Sequence, residues 1–370
     1  MARRSTYIIT GGGTGGHVYP GLAIAGALQS ADPDCKINFV GTKKGIESQL
    51  VPGAGYNISY VSASGARGLG FTAQVMFVVN LFIGIIQSFT LLLKLRPKAV
   101  IGTGGFVSVP VLLTAFLLGY PVFIQEQNSI PGSTNRLLGK YAKRIYLGFE
   151  SAKKYFPIGR TLATGNPVRA EFGKISARVA DNSVNLLVFG GSRGARTINR
   201  AVADAANDFL KLPHLNLHLQ TGDMGTHAEI TSAYSEFPVD RINIDSYIND
   251  MPSALQWADI VVCRAGAMTL AELAVAGKPS ILVPYPYATD DHQFYNASDF
   301  ENAGAAVVIK DDSFNGESMF TTVTALIEDK SRLAEMGKSC AALGRIDSAE
   351  VIAENILGFL NNINGESNVS

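Results

Sequence analysis

Residues 7–21, running Tyr7-Ile8-Ile9-Thr10 into Gly11-Gly12-Gly13-Thr14-Gly15-Gly16-His17 and on to Pro20-Gly21, limit what this chain can fold into more than any other stretch. A short apolar run meets five glycines in the six positions 11–16. The pattern predicts a strand, a tight turn and a helix opened by Pro20. Backbone without side chains at a helix N-terminus presents N–H groups to whatever sits there, and the helix dipole favours an anion, typically a phosphate. A purely structural turn needs one or two glycines rather than five.

The chain of 370 residues, 47% hydrophobic, is long for one domain and comfortable for two. Its formal net charge of zero hides a split. Residues 1–165 hold 16 Lys+Arg against 5 Asp+Glu, and residues 166–370 hold 15 against 26, so the halves carry about +11 and −11. A basic first half suits a membrane surface or a phosphorylated ligand; nucleic acid is not expected, because the basic residues are dispersed and no nucleic-acid-binding motif is present. Cys35, Cys263 and Cys340 lie far apart, which implies neither a disulfide framework nor a metal site. Arg3 and Arg4 precede too few apolar residues for a signal-peptide core, so the chain is expected to stay in the cytosol.

Strand and helix patterns alternate. Strands are expected at 36–40, 58–61, 99–101, 122–125 and 145–147, then, after the turn-rich Thr164-Gly165-Asn166-Pro167-Val168-Arg169, at 185–189, 215–219, 242–244, 259–263, 280–284 and 306–309. A second glycine turn, Gly190-Gly191-Ser192-Arg193-Gly194-Ala195, restarts the scheme, so two Rossmann-like halves are expected. Ser348 to Leu360 reads as a final helix that could return to the first half.

Residues 73–93 have the length of a membrane span. Asn80, Gly84, Gln87 and Lys94 fall on one side at helical spacing and leave a broad apolar face. Three readings stay open: a buried core helix, a helix that dips into a bilayer interface with Lys94, Arg96 and Lys98 beside it, and a true span.

Gly11-x-Gly13-x-x-Gly16 satisfies the dinucleotide fingerprint, but the second strand ends Val40-Gly41-Thr42-Lys43-Lys44 without the carboxylate that holds a ribose diol. A P-loop fails because no Gly-Lys-Ser/Thr follows. His17, where the turn becomes a helix, can take a proton near neutral pH, and the helix N-terminus favours its neutral form. A lone histidine also suits packing or capping there. The loop Gly102-Thr103-Gly104-Gly105-Phe106 should open at the same sheet edge as the first, and two such loops in a basic domain suit a pyrophosphate. Glu126 and Asn128 end a strand, as turn formers or ligand contacts. In Arg264-Ala265-Gly266-Ala267-Met268-Thr269-Leu270-Ala271-Glu272, small residues let a ligand approach a helix N-terminus, and Glu272 can bind two vicinal hydroxyls. Asp290-Asp291-His292-Gln293 offers polar groups for sugar hydroxyls, or helix caps.

Seven stretches in order carry a resemblance: residues 12–17, 102–108, 125–128, 165–169, 190–195, 266–269 and 291–293. Over essentially its whole length the chain resembles the MurG family of glycosyltransferases, which moves N-acetylglucosamine from UDP-GlcNAc to undecaprenyl-pyrophosphoryl-MurNAc-pentapeptide in peptidoglycan synthesis. The resemblance implies an α/β GT-B fold, two Rossmann-like domains with parallel sheets facing across a cleft, at 1–165 and 166–346, followed by a helix and tail at 347–370. It implies an inverting displacement without metal or cofactor, by a peripheral enzyme on the cytoplasmic face of the inner membrane against an anionic lipid surface. Ser192 would meet a phosphate, Glu272 the ribose, Arg169 and the backbone of Ile248 the uracil, and Gln293 with Asn128 the sugar hydroxyls. Ala267, Met268, Thr269, Leu270 and Ala271 would line the donor-binding helix start. Thr14, Gly15 and Gly16 would line the sugar-diphosphate side, Gly13, Gly104 and Gly105 the acceptor pyrophosphate, and His17 would be the general base. Gln125 stands where many relatives have His, and His292 where some have Gln. A UDP-GlcNAc epimerase of the same fold and a non-catalytic nucleotide-sugar-binding protein are the rival readings.

Overall fold

The computed structural model describes residues 4–65, 71–175, 183–191 and 194–367. Contacts divide it into two units, Met1–Arg169 with Arg345–Ser370, and Ala170–Gly344. Among the described residues the first unit runs β1 (Thr6–Gly11), α1 (Gly15–Ala31), β2 (Lys36–Gly41), α2 (Glu47–Gly53), β3 (Asn57–Tyr60), α3 (Phe71–Leu95), β4 (Ala99–Gly104), α4 (Ser108–Leu117), β5 (Val122–Glu126), α5 (Ser133–Leu138), β6 (Arg144–Leu147) and β7 (Thr161–Ala163). The second runs β8 (Val184–Phe189), α6 (Arg196–Asp204), α7 (Ala206–Leu210), β9 (Leu215–Gln220), α8 (Met224–Ala233), β10 (Ile242–Asp245), α9 (Met251–Trp257), β11 (Ile260–Cys263), α10 (Ala267–Ala276), β12 (Ser280–Leu282), α11 (His292–Asn302), β13 (Ala306–Val308), α12 (Gly316–Glu328) and α13 (Lys330–Leu343). The last helix, α14 (Ser348–Ser367), belongs to the first unit.

Both sheets are parallel, ordered β3-β2-β1-β4-β5-β6-β7 and β10-β9-β8-β11-β12-β13. Each reverses direction once, between β1 and β4 and between β8 and β11, and the crevice beyond the strand ends at such a reversal is where ligands bind. All four loops at the two reversals carry glycines: Gly12 and Gly13 after β1, Gly105 after β4, Gly190 and Gly191 after β8 and Gly266 after β11.

The central strands β1, β4, β5 and β6 of the first sheet are buried along nearly their whole length because helices cover both faces. Side chains alternate: Tyr7, Ile9, Ile101, Phe123 and Tyr146 pack with α1 on one face, while Ile8, Val100, Ile124 and Ile145 pack with Leu92 and Leu112 on the other. Helix α14 completes the first face. Ile352, Ala353 and Ile356 are buried there, and Tyr146 Oη bonds Asn355 Oδ1 at 3.0 Å.

Two local features differ from the sequence expectation, and one open reading is narrowed. Helix α1 begins at Gly15, so Pro20 lies inside it rather than at its opening. The three-residue β7 was unforeseen, since so short a strand carries no periodicity of its own and forms by pairing with β6. Helix α3 is not a buried core helix. Its inward stripe is Asn80, Gly84, Ser88 and Leu92, one residue per turn; a Cβ at Gly84 would meet the Ser62 carbonyl and Pro110 of α4. Asn80 Nδ2 donates to Ser64 Oγ at 3.2 Å, and Gln87 Oε1 accepts from the Ser62 N–H at 2.7 Å. The small and polar residues therefore hold the helix to its unit, and Val75, Met76, Val78, Val79, Phe82, Ile83, Ile86, Phe89 and Leu93 face outward.

The first glycine loop is clamped from α2. Glu47 is buried, and its carboxylate accepts from the Gly13 N–H at 2.9 Å and from the Thr42 N–H and Oγ1, both at 2.8 Å. Burial pushes the carboxyl up, but the donors together outweigh it and hold it below the usual glutamate range. A depressed folded value stabilises the fold at all pH above the unfolded value of about 4.3, and that contribution fades as the pH falls through the folded value. Glu47→Gln turns an amide N–H toward a donor and should cost about 1–3 kcal/mol at neutral pH. Urea denaturation across pH checks this: the gap to wild type should close toward acid, and equal stability at pH 7 would refute the clamp.

Candidate active site

His17 stands in the first turn of α1, between the two glycine loops of the first unit. Its Nδ1 lies 2.9 Å from the Thr103 carbonyl and 3.1 Å from Gln127 Oε1. A carbonyl oxygen only accepts, so Nδ1 carries the proton and the lone pair of the neutral ring is on Nε2. Gly104, at φ +106°, makes room for the ring, since a Cβ there would come within 2.8 Å of Nδ1. Gly105, at φ +82°, lies so close to the Gly12 carbonyl that no side chain fits.

The N–H groups of these loops are not equally available to an anion. Gly13 gives its N–H to Glu47, and Gly12 gives its own to the Gly104 carbonyl at 3.3 Å. Thr14, Gly15 and Gly16 cap and open α1, where N–H groups lack partners within the helix. An anion at this loop would thus meet the helix start rather than the turn.

Glu126 clamps the loop after β5 in the same way. Oε1 accepts from the Asn128 N–H at 2.9 Å, and Oε2 from Asn135 Nδ2 at 2.9 Å and the Gly132 N–H at 3.2 Å. Burial raises the carboxyl despite these donors. Asn128 sits half-buried on this clamped loop. Arg169 ends the first unit, and its guanidinium lies 5.6 Å from the centre of the Tyr19 ring on α1.

The second unit contains a groove of about 1180 Å³, lined among others by Gly190, Gly191, Gly194, Gly266, Thr269 and Gln293. Its floor is braced by a partly buried ion pair between Arg264 and Asp311; Asp311 Oδ2 also accepts from Thr197 Oγ1 at 3.0 Å, and Arg264 Nη1 donates to the Val283 and Pro284 carbonyls at 3.1 and 3.2 Å. Helix α10 opens on this groove with Gly266 as its N-cap. Ala267 and Leu270 of that turn are buried, and the Leu270 N–H closes on the Gly266 carbonyl at 3.0 Å, so Leu270 serves the core. Met268, Thr269, Ala271 and Glu272 are half-buried, and Glu272 does not line the groove. Gln293 Oε1 accepts from the Tyr285 N–H at 3.0 Å. The Ile248 N–H is held by Gln220 Oε1 at 3.0 Å, while Gln220 Nε2 donates to the Gly191 carbonyl at 2.8 Å. Ser192 lies outside the described residues.

Sequence reasoning missed Glu47, Gln127, Gln220 and the Arg264–Asp311 pair as organisers. Only Gln127 had a signal, its place beside Glu126 and Asn128.

Comparison with known proteins bears on the whole chain. The glycosyltransferase family 28 N-terminal domain matches residues 7–147, and the glycosyltransferase family 28 C-terminal domain matches residues 185–352. A Geobacter metallireducens protein named UDP-N-acetylglucosamine--N-acetylmuramyl-(pentapeptide) pyrophosphoryl-undecaprenol N-acetylglucosamine transferase is 40% identical over 362 residues, 95% of this chain and 97% of its own. The crystal structure of Acinetobacter baumannii MurG is similar with a TM-score of 0.79 at 30% identity, over 96% of this chain and 99% of that one. The UDP-GlcNAc 2-epimerase of Neisseria meningitidis, solved with UDP-GlcNAc bound, is similar with a TM-score of 0.69, over 96% of this chain and all of its own, but at 14% identity, a likeness of fold alone. The expected GT-B class of two parallel-sheet Rossmann-like domains is borne out, and the chain belongs to the MurG family of glycosyltransferases.

Proposed function

We infer that this hexosyltransferase moves N-acetylglucosamine from UDP-GlcNAc onto undecaprenyl-pyrophosphoryl-MurNAc-pentapeptide, with His17 as the general base. The observation that carries the role of His17 is the Thr103 carbonyl at Nδ1, which leaves the lone pair on Nε2. Nε2 takes the proton of the acceptor hydroxyl as its oxygen attacks the anomeric carbon; the bond from that carbon to the diphosphate breaks, UDP leaves, and the configuration inverts.

The second unit takes the donor. Ser192 and the N–H groups at the starts of α6 and α10 meet the diphosphate, where charge develops as UDP leaves. Glu272 holds the ribose and Gln293 a sugar hydroxyl, and Ala267, Met268, Thr269 and Ala271 shape the approach. Ile248 addresses the uracil through its carbonyl while Gln220 keeps its N–H. On the first unit, Arg169 serves the base, Asn128 a sugar hydroxyl, and Thr14, Gly15 and Gly16 the sugar-diphosphate. Gly104 and Gly105 face the acceptor pyrophosphate, and Gly13 supports that wall through Glu47 rather than by direct contact.

His17→Ala should lower turnover at least 10²-fold while leaving UDP-GlcNAc affinity intact. Release of UDP in the presence of the lipid acceptor, with calorimetry for the donor, checks both; wild-type turnover would remove His17 from the chemistry.

The outward face of α3 supports peripheral attachment to an anionic bilayer. Val78 and Phe82 are 62% and 65% exposed, Phe116 and Leu117 of α4 add to the exposed apolar surface, and Lys94 stands in the last turn of the helix with Arg96 and Lys98 just beyond it. Each buried side chain of this size contributes about 1.5–3 kcal/mol, so Val78→Ser with Phe82→Ser should weaken binding to phosphatidylglycerol vesicles at least ten-fold. High salt should weaken wild-type binding as well. Co-sedimentation unchanged by both would exclude α3 as the anchor.

A further inference from the structure

Three buried carboxamides stand behind His17: Gln127, Gln125 and Asn166, exposed by 2%, 0% and 5%. A carboxamide has a donor end and an acceptor end of nearly the same shape, so its orientation is settled by its partners. The settling starts at a main-chain carbonyl, which only accepts. Asn166 Nδ2 lies 2.9 Å from the Gln127 carbonyl, which makes that atom the amino group and leaves Oδ1 as the acceptor. Gln125 presents its own amino group to that Oδ1 at 2.8 Å, so Gln125 Oε1 faces Gln127. Gln127 Nε2 donates to that oxygen. The same amino group also meets the Thr103 carbonyl at 2.7 Å and the Gln125 main-chain carbonyl at 3.3 Å, so its two hydrogens are shared among three acceptors. Gln127 Oε1 is thereby turned on His17 Nδ1, beside the Thr103 carbonyl.

We propose that Asn166, Gln125 and Gln127 form a one-way hydrogen-bond relay that holds His17 in its Nδ1–H tautomer, with Gln125 as a positioning residue for the transfer. Reversing any link places two donors or two acceptors face to face in a site that water does not reach, which costs more than any one of these bonds contributes. The relay therefore has one low-energy polarity. That polarity adds a second acceptor at Nδ1 and excludes the state in which the Gln127 amino group would face the ring and favour the opposite tautomer. The kinetic part of the proposal rests on His17 as the base; the tautomer does not.

Two substitutions at Gln125, which does not touch His17, separate polarity from packing. Gln125→Met fills the space with neither donor nor acceptor, whereas Gln125→His offers one ring nitrogen of each kind and can pass the same polarity. With histidine-selective ¹⁵N labelling, the five imidazoles are few enough to resolve, and His17→Gln identifies the signal of residue 17. The wild-type ring should show a protonated Nδ1 and an unprotonated Nε2. Gln125→Met should give a mixture of tautomers and lower kcat on the order of ten-fold, well short of the roughly 10⁴ that a wrong tautomer costs a serine protease, because the Thr103 carbonyl remains. The KM for UDP-GlcNAc should not move, and Gln125→His should restore both tautomer and kcat. A protonated Nε2 in the neutral wild-type ring, or a Gln125→Met protein that keeps the wild-type tautomer whatever its kcat, would overturn the relay. A shifted tautomer with unchanged kcat would leave the relay standing and remove His17 as the base.

Discussion

In the first unit the loop after β1 meets the loop after β4 backbone against backbone. A Cβ at Gly105 would collide with the Gly12 carbonyl, and one at Gly11 with the Thr103 side chain. This contact is possible because the sheet reverses between these two strands, so their carboxyl ends lie side by side while the helices that follow depart to opposite faces. The position of His17 follows from it. The ring sits in the first turn of α1 and reaches the Thr103 carbonyl only because Gly104 has no side chain to stand in its way. Thr103 Oγ1 returns the contact by donating to the His17 carbonyl at 2.7 Å. The histidine is thus held by backbone and side chain from one neighbouring strand end.

Around this contact the unit uses buried polar groups to orient loops. Glu47 and Glu126 each hold two or three donors from a loop that ends a strand, and neither has an ion-pair partner among the described salt bridges. A buried carboxylate is costly unless its oxygens are satisfied, so the loop conformation that satisfies them is strongly preferred over its alternatives. Specificity of shape, more than gross stability, is what such groups contribute. The second unit reaches the same end with Gln220, which joins the Gly191 carbonyl to the Ile248 N–H, and with the Arg264–Asp311 pair.

Most of the architecture was legible because it depends on local pattern. Continuous apolar runs such as Ile8–Ile9 and Leu186–Phe189 predict strands covered on both faces, and glycines directly after them predict the loops at the reversals. The dispute over the dinucleotide fingerprint was also settled locally, by the residues that end β2. What escaped was decided by partners distant in sequence. Glu47 is 34 residues from Gly13, and Asn166 is 41 from Gln125. No spacing rule connects such pairs, and a buried glutamine reads in sequence as an exposed one. The polar stripe on α3 was visible, but periodicity gives only the grouping of residues on a face, not which face meets the protein.

That last point bears on the outward face of α3. An ordinary surface helix buries its apolar stripe and solvates the rest, whereas α3 buries Asn80, Gly84, Ser88 and Leu92 and turns its large apolar side chains outward. Small residues allow close packing on α4 over a narrow strip, so attachment of the helix does not consume the broad face. An outward apolar face of this extent is unfavourable in water and rare on monomers without a partner. It lies on the unit that carries His17 and most of the basic excess, while the acidic half of the chain holds the glycine-lined groove. Under the proposed function, the base and the membrane-facing side chains share one unit, so the packing that places the histidine also sets its distance from the apolar face.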